Sequence, residues 1–381
     1  MAPASPQVFE GPRVFAEHGA RWQELLDRTQ SPVFFLRPDW LQLWADQFGA
    51  GRRCFLAVAE RGGEWIGGLP LILGEGRIGQ RWEVPKLEAA GTPYFDRMEV
   101  PAADDADCRE TLRLILDWAR TTGGWSAFAF HEVPAGSPTH RALESLATER
   151  GFDLHAQLAS RAPIVDLETG GKTSSKYRRQ LRQSMEQLEE EGRVECAFEF
   201  VDTARIGPLI AECKLVECSS WKGDQGVGVF RRGPVGDFMR GLWRGLVPRR
   251  ELALATIRLD GRLIIYHWGF LHRGRFLSYN LAQVPETNRV RGGSLLLKHM
   301  VDTGRDLGIE VIDASRGSLE SPNIIGRYKG PVRAHGDFIL YARSAHGRFL
   351  EGVRHRAIPA ARRLLRQGGP PALDPDEAFV D

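Results

Sequence analysis

The sequence predicts a mixed α/β (α+β) chain of two domains, each a mixed, mostly antiparallel sheet flanked by helices. Three observations carry this. The chain has 381 residues, long for one hydrophobic core and suited to two domains. Alternating apolar runs joined by Gly-containing turns occur twice, each time as a meander. Each meander is followed by an amphipathic segment of helical period and then by a further strand.

The elements follow in order. Residues 20–28 and 40–48 have helical spacing and flank the aromatic stretch SPVFFLRPDW. CFLAVAE and EWIGGLPLIL alternate as antiparallel strands around Gly62-Gly63, and TPYFD follows as a loop. In 112–120, Leu112, Ile115, Leu116 and Ala119 form one apolar stripe. WSAFAFHEV reads as a strand, and 140–150 as a helix stopped by Gly151. The order then recurs, with helices at 208–217 and 235–246. Three strands lie in LALATIRLDGRLIIYHWGFLHRGRFLSYN, turned at Asp260-Gly261 and Arg273-Gly274. A helix at 294–307, the strand IEVIDAS and a last strand at 338–342 complete the pattern. With a joining segment near 161–172, the expected domains are 1–165 and 166–345, then a basic C-terminal helix and tail over 346–381.

Composition narrows the function classes. Hydrophobic residues are 42%, charged residues 26% and the formal charge +2, so no global field argues for nucleic acid. Five cysteines without a CxxC spacing point to reduced thiols, neither a disulfide framework nor a metal site. The N-terminus lacks the basic and apolar regions of a signal peptide, and the longest apolar run, 263–271, contains His267 and is too short to span a bilayer. The expectation is a cytoplasmic protein without a metal.

The stretch NRVRGGSLLLKHM, 288–300, puts a glycine pair at a helix start. Gly292 and Gly293 remove Cβ atoms where backbone approaches something closely. The helix adds unpaired N–H groups and a positive dipole end, which together suit a pyrophosphate. Arg289 and Arg291 would add charge-assisted bonds. The plainer reading is a helix entry with Ser294 as N-cap.

These segments have a family likeness. SKYRRQLRQSMEQLEEEG (175–192), ECSSWKG (217–223), LSYNLA (277–282), RGGSLLL (291–297) and IDASRGSLES…RYKG (312–330) resemble, in this order, the GNAT acyltransferases. More specifically they are similar to the CelD/BcsL (BioF2-like) group, related to the FemAB peptidyltransferases. EWIGGLPLIL and TPYFD match that group's N-terminal half, so the likeness covers most of 20–345. It implies two tandem GNAT-like domains, with acyl-CoA as co-substrate held by Arg289, Val290, Arg291, Gly292, Gly293 and Ser294. The segment SLESPNIIG carries Pro322 and an Ile pair where the chain departs from the group, which favours Asp313 and Arg316 as positioned residues over Lys329.

Transfer to an amine needs a proton acceptor, a donor for the thioester oxygen and a proton for the leaving thiolate. His267, with an ordinary pKa near ~6.5, would serve as base, or is a satisfied strand histidine. Glu217 closes a helix, where a carboxylate opposes the dipole, which suggests a use as base or amine ligand. Tyr279 would protonate the thiolate, or packs in the core. Asp313 ends a strand, a common place for site residues. Trp221 and Lys222 open the Gly-rich KGDQGVG stretch, readable as a lid over substrate. Asn280, Arg316 and Lys329 complete the substrate set. Arg178 and Arg179 crowd the positive end of the helix read over TSSKYRRQLRQSMEQLEEEG (173–192) against the dipole rule, which suggests an anion there. The Leu/Val/Ala stripe with flanking arginines over 348–366, and GLWRGLVPRR, would suit peripheral contact with a membrane.

The leading expectation is an acyl-CoA-dependent N-acyltransferase. Its acceptor would be an amine-bearing small molecule or lipid, such as a sphingoid base (ceramide-type product) or an amino sugar. A FemAB-like aminoacyl-tRNA-dependent transferase, an acetyltransferase of exopolysaccharide synthesis and a non-catalytic binding protein remain alternatives. Nucleic acid is not expected as a partner of the first reading.

Overall fold

A computed structural model describes residues 3–78, 82–169, 171–319 and 323–357. The chain divides into two compact units. The first holds Met1–Ser160 with, among the described residues, 334–357; the second is Arg161–Arg333. This departs from the expected boundaries at 165 and 345. The last strand, read with the second half, hydrogen-bonds inside the first unit.

In the first unit, β1 (Ser5–Glu10) edges a meander of β2 (Arg53–Arg61), β3 (Glu64–Ile78) and β4 (Trp82–Ala89). The short helix α1 (Val14–Glu17), α2 (Gly19–Arg28) and α3 (Pro38–Phe48) precede the meander. They bury Trp22, Trp40 and Trp44 at 2% exposure or less. Helix α4 (Asp105–Thr122) links β4 to β5 (Ala127–Pro134), and α5 (Pro138–Arg150) follows, ended by left-handed Gly151 as expected. Strands β4 and β5 run parallel over Lys86–Glu88 and Ala127–Ala129, the geometry that requires a helical crossover. β12 (Val332–Tyr341) lies antiparallel to β5, and β6 (Asp153–Asp166) contributes 153–160 beside β12. Helix α11 (Ala345–Gly352) and a π-turn, Val353–Ala357, close the described chain. Of the basic C-terminal helix expected over 346–381, the part from 358 on lies outside the described residues.

The second unit repeats the plan. Helix α6 (Ser175–Glu189) and β7 (Val194–Phe200) come first, then α7 (Ile206–Cys218), the single turn α8 (Trp221–Asp224) and α9 (Pro234–Leu246). The meander β8 (Leu252–Leu259), β9 (Arg262–His272) and β10 (Arg275–Gln283) turns at left-handed Asp260 and Arg273, each followed by a left-handed glycine. Helix α10 (Gly292–Thr303) crosses to β11 (Val311–Asp313), which pairs parallel with β10 and antiparallel with residues 164–166 of β6. The sheet order is β6-β11-β10-β9-β8-β7. Phe230, Trp243, Tyr266 and Trp268 pack on one of its faces, all fully buried. Among the described residues no helix is long and apolar enough to cross a membrane.

Two features of β10 position the site. Its pairing with β11 ends after Leu277, so the two parallel strands part company there. Its pairing with β9 shifts by one residue between Ser278 and Asn280. Ser278 faces Gly269, but Asn280 faces Trp268, leaving Tyr279 as the extra residue of a β-bulge. Without the bulge Asn280 would sit opposite His267 and share its face. With it, Asn280 turns to the face of Tyr266 and Trp268.

Gly269 permits this close approach. A Cβ there would lie 2.2 Å from the Leu277 carbonyl oxygen and 2.7 Å from Phe276 Cζ. Gly269→Ala is therefore expected to force the strands apart and cost about 1–3 kcal/mol, read as a lowered thermal midpoint; an unchanged midpoint would show that the bulge tolerates a side chain.

Candidate functional site

The site lies in the second unit and is built around a buried carboxylate. Glu217, in the last turn of α7, is 2% exposed. Its Oε2 accepts the N–H of Phe230 at 3.0 Å, and its Oε1 accepts the N–H of Val229 at 3.2 Å. Oε1 also accepts the Tyr266 hydroxyl at 2.8 Å and Asn280 Nδ2 at 2.9 Å. These donors satisfy a charge that burial alone would make costly. The glycine of the KGDQGVG stretch nearest to it, Gly228, is needed for space, since a Cβ there would lie 2.9 Å from Glu217 Oε2.

Asn280 extends the network. Its Nδ2 donates to Glu217 and to the Tyr266 oxygen, at 2.9 Å each, so its Oδ1 faces the other way and accepts Lys222 Nζ. Burial pushes the Lys222 ammonium down to about 8, against the opposing pull of Glu217. Burial raises the Tyr266 phenol well above its ordinary range. Among the predicted residues, the structure thus joins Glu217, Asn280 and Lys222. Sequence reasoning missed Tyr266, whose signal was its place two residues before Trp268 in the central strand.

His267 points to the opposite face of β9. Its Nε2 lies 2.6 Å from Ser278 Oγ, its Nδ1 is buried without a partner, and its ring meets Phe276 edge-on. Burial, with Lys222 nearby, lowers its pKa to about 3. This corrects the ordinary value near 6.5 on which its role as base rested. Tyr279, the bulge residue, is half-buried with its ring against Trp268 and Phe270. Asp313 is fully buried between Arg275 and Arg333, at 3.3 and 3.0 Å, and accepts the N–H of Ser315 at 2.8 Å. Both arginines and the Ser315 N–H thus occupy this carboxylate.

The turn before α10 borders a cavity of about 540 Å³ lined by Trp221, Leu281, Gln283, Arg291, Gly293 and Ser294 among others. Arg291 adopts the left-handed conformation (φ 53°) as the residue before the helix, and no side chain caps it. Ser294 is the third helical residue, not the N-cap of the plainer reading. The two glycines divide the work. A Cβ on Gly292 would lie 2.4 Å from Ile265 Cδ1, so that glycine serves packing. Gly293 borders the cavity, where an added Cβ would lie 3.3 Å from Gln283 Oε1. Val290 is buried at 1% exposure, and Arg289 ion-pairs with Glu191. Neither lines the cavity, whereas Arg291, Gly293 and Ser294 do. Trp221 is 59% exposed at its rim. Arg178, Arg179, Arg316 and Lys329 are exposed and absent from this lining. Among the described residues no group of three His, Cys, Asp or Glu is arranged to hold a metal.

Residues 175–330 match the family described as Acetyltransferase (GNAT) domain. The matched span falls within the second unit and contains the whole network above. Solved structures share the fold across both units. FemX aligns with TM-score 0.55 and 10% identity, over 91% of this chain and all of that one. A protein of Agrobacterium fabrum described as a lysylphosphatidylglycerol synthetase aligns through its C-terminal domain with TM-score 0.53 and 13% identity, over 88% of this chain and 95% of that one. A tandem GNAT protein from the clavulanic acid biosynthesis pathway aligns with TM-score 0.50 and 12% identity, over 89% and 100%. No curated protein sequence matches the chain. The expected tandem of GNAT-like domains, each with a mixed, mostly antiparallel sheet, is the observed architecture.

The buried imidazole has a consequence for stability. Its folded pKa, about 3, lies below the ordinary value near 6.5, so between these pH values the unfolded chain binds a proton that the native chain excludes. Stability from this group is complete above pH ~6.5 and is lost as pH falls towards 3. His267→Gln should therefore lose roughly 2–3 kcal/mol less than the parent between pH 6.5 and 4.5, seen as a smaller fall in urea midpoint. Parallel declines in the two proteins would exclude it.

Proposed function

We propose that the protein is an acyl-CoA-dependent N-acyltransferase of the CelD/BcsL type, acting on an amine-bearing small molecule or lipid. The carrying observation is the uncapped start of α10, with left-handed Arg291 and the bare backbone of Gly293 at the wall of the 540 Å³ cavity. A helix N-terminus without a side-chain acceptor, beside a guanidinium, suits a diphosphate. The rest of the donor then has a path. The cavity runs past Leu281 and Ala282 of β10, beyond the point where β11 leaves that strand. An extended pantetheine arm can take up backbone bonds along this edge, as an added strand would. The acyl carbon would reach the bulge at Tyr279, next to Asn280 and Lys222.

In this reading the protein supplies position and electrostatics. The amine attacks the thioester carbonyl directly, the C–S bond breaks, and CoA leaves as the thiol. The exposed Trp221 at the cavity rim is consistent with an amphiphilic acceptor, a sphingoid base or an amino sugar derivative. Such an acceptor would bring the protein to the inner face of a membrane. The FemX-like fold favours one alternative, transfer of an aminoacyl group from tRNA at the same site.

Thermal shift against CoA, acetyl-CoA and palmitoyl-CoA, with a detergent-matched control, separates the two readings. Stabilisation by all three is expected. Salt-sensitive binding of aminoacyl-tRNA with no shift by any CoA would favour the alternative. Gly293→Asp sharpens the test. An acid in the first turn of a helix leaves the fold as stable or raises its midpoint by a degree or two, yet it fills the cavity wall with negative charge. Loss of the CoA shift in a stable variant is the expected result.

A further inference from the structure

We infer that Lys222 is the group that takes the proton from the acceptor amine, oriented by Asn280, Tyr266 and Glu217. This rests on the transfer reading above.

The geometry selects it. Lys222 follows Trp221, which lines the cavity, and its Nζ reaches Asn280, the residue that the bulge turns to this face. Asn280 cannot flip. Its amide nitrogen is committed to Glu217 and to the Tyr266 oxygen, and the Tyr266 proton is committed to Glu217. Lys222 therefore meets an acceptor oxygen, which takes one N–H of the amine and leaves its lone pair free for another proton. The titratable groups around it are Glu217 from α7 and Tyr266 and His267 from β9.

The competing bases are poorer on the same grounds. The Glu217 carboxylate accepts four hydrogen bonds and is sealed at 2% exposure. His267 turns to the Ser278 face, and its pKa of about 3 would make proton transfer from an alkylammonium near ~10 uphill by about seven units. For Lys222, at about 8, the step is uphill by about two, and about a fifth of the lysine is already neutral at pH 7.4.

The step balances without a further reagent. Neutral Lys222 accepts one proton from the acceptor ammonium. The freed amine forms a C–N bond to the thioester carbonyl, and the C–S bond breaks. The thiolate leaves as the thiol with the proton that Lys222 carries, and the second amine proton goes to solvent. The products are the amide, CoA and one proton.

Lys222→Met and Lys222→Arg test this in the full-length protein. Thermal shift with CoA comes first and establishes that each variant is folded and binds donor. Transfer is then followed as thiol release from palmitoyl-CoA with sphinganine and from acetyl-CoA with glucosamine. The parent should show a rate limb rising through pH 8. Both variants should fall at least 100-fold in kcat, with KM for the donor unchanged, and trimethylamine should partly restore Lys222→Met. A tertiary amine can accept a proton but cannot itself become an amide. Competitive labelling with acetic anhydride across pH 6–10 reads the Lys222 titration without any acceptor, and a midpoint near 8 is expected. Lys222→Arg at parental rate, or a labelling midpoint above 10, would overturn the assignment. Absence of a CoA shift in the parent, with Lys222 still titrating near 8, would instead count against the donor reading on which it rests.

Discussion

A carboxylate held away from water sets most of what surrounds it. A buried charge without partners is costly by several kcal/mol, so Glu217 must be met by donors from wherever the chain can bring them. Two come from consecutive backbone N–H groups, Val229 and Phe230, which folds the stretch after α8 back over the end of α7. Two come from side chains on β9 and β10, Tyr266 and Asn280. The second is available only because the bulge at Tyr279 reverses the facing of β10. The carboxylate thus connects a helix end, a loop and two strands. What reads in isolation as a violation of the helix-dipole preference becomes the point on which the local structure converges.

The two units share a plan but differ where a donor would sit. Each has a meander whose last strand pairs parallel with the strand beyond a crossover helix. In the first unit that helix, α4, is closed to anions. Asp104 caps it by accepting the N–H of Asp107, and Asp105 and Asp107 add negative charge to its first turn. In the second unit α10 starts at a left-handed arginine and two glycines, with no cap and no acid in its first turn. The same topology therefore presents opposite electrostatics. Of the two crossover helices, α10 is the one whose first N–H groups meet neither a capping side chain nor an acid.

Much of this was legible in the sequence, and the remainder has physical reasons. The second meander could be read because Asp260-Gly261 and Arg273-Gly274 are turn pairs with left-handed residues and the strands alternate around them. The glycine turn before α10 could be read because only glycine tolerates the approach of Ile265. The bulge could not, since a one-residue shift leaves composition and periodicity almost unchanged. The partnering of Glu217 was hidden for the same reason, because its donors lie 12 to 63 positions away along the chain. Asp313 was placed correctly at the end of a strand, but its two arginines come from positions 275 and 333, which no local pattern links. The domain boundaries failed at β12, a strand whose hydrogen-bonding partner is β5, some two hundred positions earlier.

That distant strand bears on how the chain is made. The first unit is discontinuous in sequence, because β12 lies between β5 and the 153–160 half of β6. A nascent chain released only as far as residue 331 has every residue of that sheet except the one strand between β5 and β6. The hydrogen-bonding edge of β5 stays open until then, a hazard for pairing with a stranger. The second unit is continuous from Arg161 to Arg333, so its residues have all left the ribosome before β12 is complete. Synthesis from the N-terminus therefore delivers the second unit in full before the first is complete, and the last strand to emerge is the one that completes the first sheet.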